Sequence, residues 1–326
     1  MSKLTQMCPP KAAFTEVDLD DLSGKVYVVT GSNTGVGKEL AQILYSKNAT
    51  VYIAARSENK AQEAITSISN AFPLSKGRLE FLALDLANLT SVAQAAKAMA
   101  TREPRLDVLF NNAGVMHPPQ GSKTEQGYEM QLGVNNLGHL LFTELLTPLL
   151  AKTAATEGKG KVRVVWVSSL YSELGSPKNG FDPDNIDYSK KDESTYYKYS
   201  ASKAGVYYQG TEYARRHKAT GIVSVTCNPG NLKSDLQRHH SSSIMSKIGG
   251  WMLYPAINGA YTELFSGLSP DVTLEHSGTY VIPFGRLASI RADLKNGSLS
   301  VSEGGTGMAE KWYGWCLEQV KPYMVN

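Results

Sequence analysis

The 326-residue sequence is short of cysteine, of charge imbalance and of long apolar runs, and each deficit removes a class of protein. Cys8, Cys227 and Cys316 are few and far apart, without metal-ligand spacing. That excludes a disulfide framework or a zinc module and fits free thiols in a reducing compartment. A formal net charge of +3, with lysine and arginine scattered, leaves no electrostatic footprint for nucleic acid or an anionic membrane. The most apolar stretch, 137–150, is interrupted by His139 and Glu144 and is too short to span a bilayer. The first residues are polar and carry Asp18, Asp20 and Asp21, so 1–23 reads as a polar extension, neither a signal peptide nor an anchor. No internal repeat or low-complexity segment is visible. A cytoplasmic protein is expected.

What remains is a regular alternation. Apolar strands are expected at 25–30, 50–55, 79–84, 108–111, 162–167, 222–227 and 279–282, with amphipathic helical patterns between them. Continuous apolar strands separated by helices imply a parallel sheet covered on both faces, and right-handed crossovers give the doubly wound α/β arrangement of the Rossmann type. No polar linker divides the chain, so 24–326 is expected to be one domain. Ligands of such a sheet sit beyond the carboxyl ends of its strands.

Two motifs carry chemistry. Tyr199-Ser200-Ala201-Ser202-Lys203 places a phenol and an ammonium four residues apart, on one face if the segment is helical. A cation held beside a phenol favours the phenolate and brings the group towards neutrality, where it can exchange a proton with a substrate oxygen. Near the amino terminus, strand 25–30 runs into Gly31-Ser32-Asn33-Thr34-Gly35-Val36-Gly37, and Leu40, Ile43 and Leu44 follow at helical period. Glycines allow a tight turn and close approach of a diphosphate, which the helix N-terminal N–H groups would bind. The spacing is Gly-x-x-x-Gly-x-Gly, unlike the commoner Gly-x-Gly-x-x-Gly.

Together these motifs resemble the short-chain dehydrogenase/reductase family, and four further matches follow in the family's order: Asn111-Asn112-Ala113-Gly114, Val134-Asn135-Asn136-Leu137-Gly138-His139, Val167-Ser168-Ser169 and Asn228-Pro229-Gly230. The chain looks closest to the retinol-dehydrogenase and WW-domain-oxidoreductase type, especially to reductases of fungal natural-product pathways, a narrower likeness carried by the run from Pro229 to His239.

The resemblance implies an NADP(H) site and a catalytic group. Gly31, Asn33, Thr34, Gly35, Val36 and Gly37 would cradle the diphosphate, with Asp85 and Leu86 near the adenine and Asn112, Ala113 and Gly114 along the cofactor. Pro229 and Gly230 would turn the chain beneath the nicotinamide, with Leu232 and Ser234 near its amide. An Asn-Leu-Lys-Ser stretch there replaces the family's commoner valine and threonine. The end of the second strand has no acid, and Arg56 with Lys60 offers cations to a 2′-phosphate, so NADP(H) is expected. Asp85 is alternatively a helix cap, as is Asn88.

In the catalytic roles that the resemblance implies, Tyr199 protonates a carbonyl oxygen and Ser169 holds that oxygen. Lys203 lowers the tyrosine's pKa and binds the nicotinamide ribose, and Asn135 anchors a relay water. Ser168 and Asn136 are the neighbouring alternatives. Tyr196 and Tyr197 lack the lysine and read as loop or substrate-wall residues, and His139 reads as a buried structural histidine.

The segment 232–267, with Ile244, Met245, Ile248, Trp251, Met252, Leu253 and Tyr254, is expected to form an apolar substrate-binding lid. Core packing or a subunit contact is the alternative. A helix at 308–320 would cover the site or an interface in a homodimer. The expected function is NADPH-dependent reduction of a ketone or aldehyde, or the reverse oxidation, on a bulky apolar small molecule such as a secondary metabolite. The alternatives are a dinucleotide-binding sensor or scaffold without turnover and an enzyme that couples reduction to dehydration or isomerisation.

Overall fold

The computed structural model describes residues 4–233 and 253–324. Eight strands form one sheet in the order β3-β2-β1-β4-β5-β6-β7-β8. They are β1 (Val26–Thr30), β2 (Thr50–Ala55), β3 (Arg78–Ala83), β4 (Val108–Asn111), β5 (Arg163–Val167), β6 (Val223–Cys227), β7 (Tyr280–Ile282) and β8 (Arg286–Ala288). The first seven pair in parallel, and each expected strand appears within a residue of its expected bounds. Strand β8, antiparallel to β7, was not anticipated. It has three residues and none is buried, so its sequence carries no apolar run to read.

Side chains alternate across the pleat, and that divides the core in two. Val26, Val28, Leu109, Val164 and Trp166 face one layer, while Tyr27, Val29, Val108, Phe110, Val165 and Val167 face the other. The first layer is covered by α4 (Leu89–Arg102), α6 (His139–Glu157), α8 (Thr195–Arg216) and the carboxyl-terminal α11 (Met308–Val320). The second is covered by α2 (Gly35–Ser46), α3 (Glu58–Ala71) and α9 (Ala256–Leu268). Shorter helices are α1 (Leu4–Met7), α5 (Met130–Leu132), α7 (Tyr171–Leu174) and α10 (Ala292–Ser298).

Helix α11 spans the 308–320 segment expected to be helical, and it packs on α8. A Cβ on Gly205 would stand 2.2 Å from the Trp312 ring, so glycine is what lets the two helices meet. The lid expectation is corrected over its last third, because α9 buries Ala260, Leu264 and Phe265 in the core. Leu232 and Tyr254 form an isolated bridge at the mouth of that segment. Ser234, Ile244, Met245, Ile248, Trp251 and Met252 lie outside the described residues.

Candidate active site

The chemistry-bearing motifs converge at the carboxyl ends of β1, β4, β5 and β6, as a doubly wound sheet requires. Helix α8 brings Tyr199 and Lys203 to this edge, and both are nearly inaccessible, at 3% and 4% exposure. The Lys203 Nζ stands 5.9 Å from the centre of the Tyr199 ring and donates to the Val167 carbonyl at 2.8 Å. Ser169, just past β5, hydrogen-bonds the Tyr199 phenol.

Burial pushes that phenol up to about 12, against the downward pull of the Ser169 hydrogen bond. The expected lowering by Lys203 is therefore absent in the free protein, where desolvation dominates. The phenol rests as a neutral acid. Burial also brings the Lys203 ammonium down to about 8, with Cys227 and Glu263 opposing the fall.

The two neighbouring alternatives separate cleanly. Ser168 turns into the protein and donates to the Lys203 carbonyl at 2.7 Å, which leaves Ser169 for the site. Asn135 accepts from the Val115 N–H at 2.9 Å and donates to Val115 O and Ser202 Oγ. Its carboxamide oxygen is also 3.3 Å from where a Cβ on Gly114 would stand. Asn136 instead points into the core and donates to Ser202 O and Gln209 Oε1. The local backbone of residues 133–138 is a π-helical turn, a distortion common at functional positions. His139, fully enclosed, is driven down to about 3 by burial and by the Lys203 charge, and its Nε2 lies 3.1 Å from Thr30 Oγ1. It is a neutral strut between β1 and α6, not a base.

At β1 the glycine turn meets the Asn112–Gly114 segment directly. Asn112 donates to Thr30 O at 2.7 Å, and a Cβ on Gly37 would come within 2.5 Å of the Asn112 amide nitrogen. Gly31 and Gly35 hold φ of +69° and +57°. In the first turn of α2 the N–H groups of Gly35, Val36 and Gly37 lack intrahelical acceptors, and no acidic residue stands there. This bare, donor-rich surface fits a diphosphate. A Cβ on Gly114 would lie 3.4 Å from Lys203 Nζ, so uncovered backbone continues from the glycine turn to Lys203. Asn33, Thr34, Pro229, Gly230 and Leu232 line the same end of the sheet, while Ser234 lies outside the described residues.

Beyond β2, Arg56 and Lys60 are exposed, and the preceding Ala54 and Ala55 carry no charge. Asp85 caps its own turn by accepting from the Ala87 N–H, and Asn88 is the N-cap of α4. Leu86 is buried against Gly138, where a Cβ would come within 2.6 Å of the Leu86 carbonyl.

A wall of rings surrounds Tyr199. Its ring centre is 5.5 Å from both His117 and Tyr171, and Tyr196 stacks on His117 at 6.1 Å with 8° between planes. Tyr197 turns away onto Tyr188. His117, in a loop, and Tyr171, at the start of the short helix α7, escaped the sequence reading because they lie outside the motifs, and their only signal was proximity to Gly114 and Ser169.

Glu263 was also missed. It is fully buried on α9, both carboxyl oxygens lack partners, and burial pushes it up to about 8 against the pull of Lys203. A charged residue inside the apolar stripe of Ala260 and Leu264 was its one visible sign.

Relatives with the same organisation are numerous. A family model described as short chain dehydrogenase matches residues 25–181. A short-chain dehydrogenase/reductase of Phomopsis amygdali is 49% identical over 323 residues, covering 98% of this chain and 96% of its own. This chain belongs to the short-chain dehydrogenase/reductase family. A second relative of this dehydrogenase, from Neocamarosporium betae, is 45% identical over 99% of the chain and 94% of its own.

Among solved structures, the 3-ketoacyl-(acyl-carrier-protein) reductase of Brucella melitensis, complexed with NADH, superposes with a TM-score of 0.61 at 21% identity, covering 81% of this chain and 98% of that one. The NADPH-bound carbonyl reductase from chicken fatty liver gives 0.58 at 20%, covering 79% and 96%. Both share the fold. Among the described residues of this dehydrogenase no His, Cys, Asp and Glu cluster could hold a metal, and no helix is long and apolar enough to cross a membrane.

Proposed function

We propose that this oxidoreductase uses NADP(H) to reduce a ketone or aldehyde, or to oxidise the corresponding alcohol, on a bulky apolar small molecule. The observation that carries the reading is the Tyr199 phenol, buried, protonated, hydrogen-bonded to Ser169 and flanked by the Lys203 cation. A sensor without turnover has no use for a phenol set beside both a serine hydroxyl and a lysine ammonium at the carboxyl edge of the sheet.

The dinucleotide, when bound along the Gly31–Gly37 turn, supplies the hydride. The chain's own residues manage the proton. Ser169 donates to the carbonyl oxygen and fixes it beside the Tyr199 hydroxyl, and Tyr199 passes its proton to that oxygen as negative charge grows there. Lys203 stabilises the resulting phenolate, and Asn135, held on both sides by Val115 and Ser202, keeps the lysine's surroundings rigid. His117 and Tyr196 stack while Tyr171 stands edge-on to Tyr196, and this aromatic wall beside Tyr199 supports a large substrate with conjugated or aromatic character.

The preference for NADP(H) is supported by the exposed Arg56 and Lys60 beyond β2. Comparing kcat/KM for NADPH and NADH on a panel of aromatic and aliphatic carbonyls tests it. NADPH is expected to lead, and Arg56→Asp is expected to reverse the order. Equal values in the unaltered protein would refute the cofactor assignment.

A further inference from the structure

Residues 4–25, ahead of β1, are tied into the fold. The side chain of Gln6, in α1, is 5% exposed and its amide is used at both ends. Nε2 donates to Glu173 Oε1 at 2.7 Å, and Oε1 accepts from Asn228 Nδ2 at 2.9 Å. Glu173 lies on α7, four residues past Ser169, and is 6% exposed. Asn228 is 2% exposed and opens the Asn228-Pro229-Gly230 turn, accepting the Gly230 N–H on its Oδ1 at 3.1 Å.

One glutamine therefore joins the loop that carries the serine to the turn at the end of β6. The same segment is held further along. Arg286 donates to Thr5 O at 2.7 Å, the Phe14 ring meets Phe265 of α9 edge-on at 6.3 Å, and Glu16 hydrogen-bonds Tyr261.

We propose that Gln6 is a positioning residue, clasping the Asn228–Gly230 turn to α7 so that the nicotinamide side of the site is held in register with Ser169. This rests on the cofactor reading above. A carboxamide can donate to a carboxyl and accept from another carboxamide at once, through two atoms on one rigid plane. Its loss leaves two buried polar groups unpartnered, and such groups rearrange or draw in water. The adenosine half of the cofactor, expected near Arg56 and Asp85 beyond β2 and β3, touches none of this.

The test separates the halves of the cofactor. NADPH affinity is read from nicotinamide fluorescence and 2′,5′-ADP affinity by calorimetry, on the full chain, for Gln6→Ala, Gln6→Glu and the double variant Gln6→Glu, Glu173→Gln. Gln6→Ala is expected to weaken NADPH about tenfold and leave 2′,5′-ADP within about twofold. Gln6→Glu sets two carboxyls against each other and is expected to cost more. The double variant exchanges donor and acceptor and is expected to restore NADPH binding to within about threefold of the unaltered protein.

Unchanged NADPH binding in Gln6→Ala would overturn the inference. So would a parallel loss of both ligands without rescue by the double variant, the mark of general destabilisation. If the unaltered protein binds 2′,5′-ADP and NADPH normally, such results refute the clasp alone. Failure of the unaltered protein to bind either would overturn the cofactor reading and the clasp with it.

Discussion

Glu263→Gln is expected to make the protein more stable, by an amount that grows with pH. In the unfolded chain a glutamate ionises near 4.5, whereas burial of Glu263 in the fold pushes it up to about 8, with the Lys203 charge limiting the rise. Between those values the folded state holds a proton that the unfolded state has released, so stability falls as pH rises, by about 1.4 kcal/mol per pH unit. Below pH 4.5 both states are protonated and the penalty vanishes. Across the whole window it approaches 5 kcal/mol as an upper figure, and relaxation around the site reduces it to about 3.

Glutamine keeps the shape and cannot ionise. The two proteins are therefore expected to melt together near pH 4.5, with the variant about 5 °C higher at pH 8. Calorimetry or circular dichroism at half-unit pH steps measures the gap. Among the described residues, Lys203 and Cys227 interact electrostatically with Glu263. A Tm difference that stays constant from pH 4.5 to 8 would refute the reasoning, since it would mean that Glu263 ionises alike in both states. Glu263→Leu, which removes the unpartnered oxygens altogether, is expected to show the same pH trend with a larger offset.

Other expectations follow from the same geometry. Tyr199→Phe removes the proton donor and keeps the ring, so turnover is expected to fall about 100- to 10,000-fold with NADPH affinity preserved; steady-state rates and fluorescence titration check this. Because burial brings Lys203 down to about 8, its cation is lost as pH rises through that value, and kcat/KM is expected to fall there; Glu263→Gln, lacking the carboxylate that opposes the fall, is expected to shift this limb to lower pH. Gly37→Ala would force a methyl group within 2.5 Å of the Asn112 amide nitrogen, and is expected to weaken NADPH at least tenfold in a direct titration and to lower Tm.

Much of this protein was legible in the chain because the signals are local. Strands β1, β2, β4 and β5 announce themselves as unbroken apolar runs, since both faces of a parallel sheet are buried. The four-residue spacing of Tyr199 and Lys203 needs only helical geometry to set the two side by side. The glycine turn needs only backbone sterics.

Tertiary packing decided what local rules leave degenerate. Ser168 and Ser169 are identical in composition, but the pleat sends one into α8 and the other to the site. Asn135 and Asn136 are parted by a π-helical turn that places the first against Val115 and the second against Gln209. Desolvation set Tyr199 towards 12 and Lys203 towards 8, because the pairing of charges is local while burial is a property of everything packed around them. Glu263 reads as a surface residue until α9 docks beneath the sheet. Gln6 reads as part of a polar tail until the fold brings Asn228, 222 positions further along the chain, to its amide.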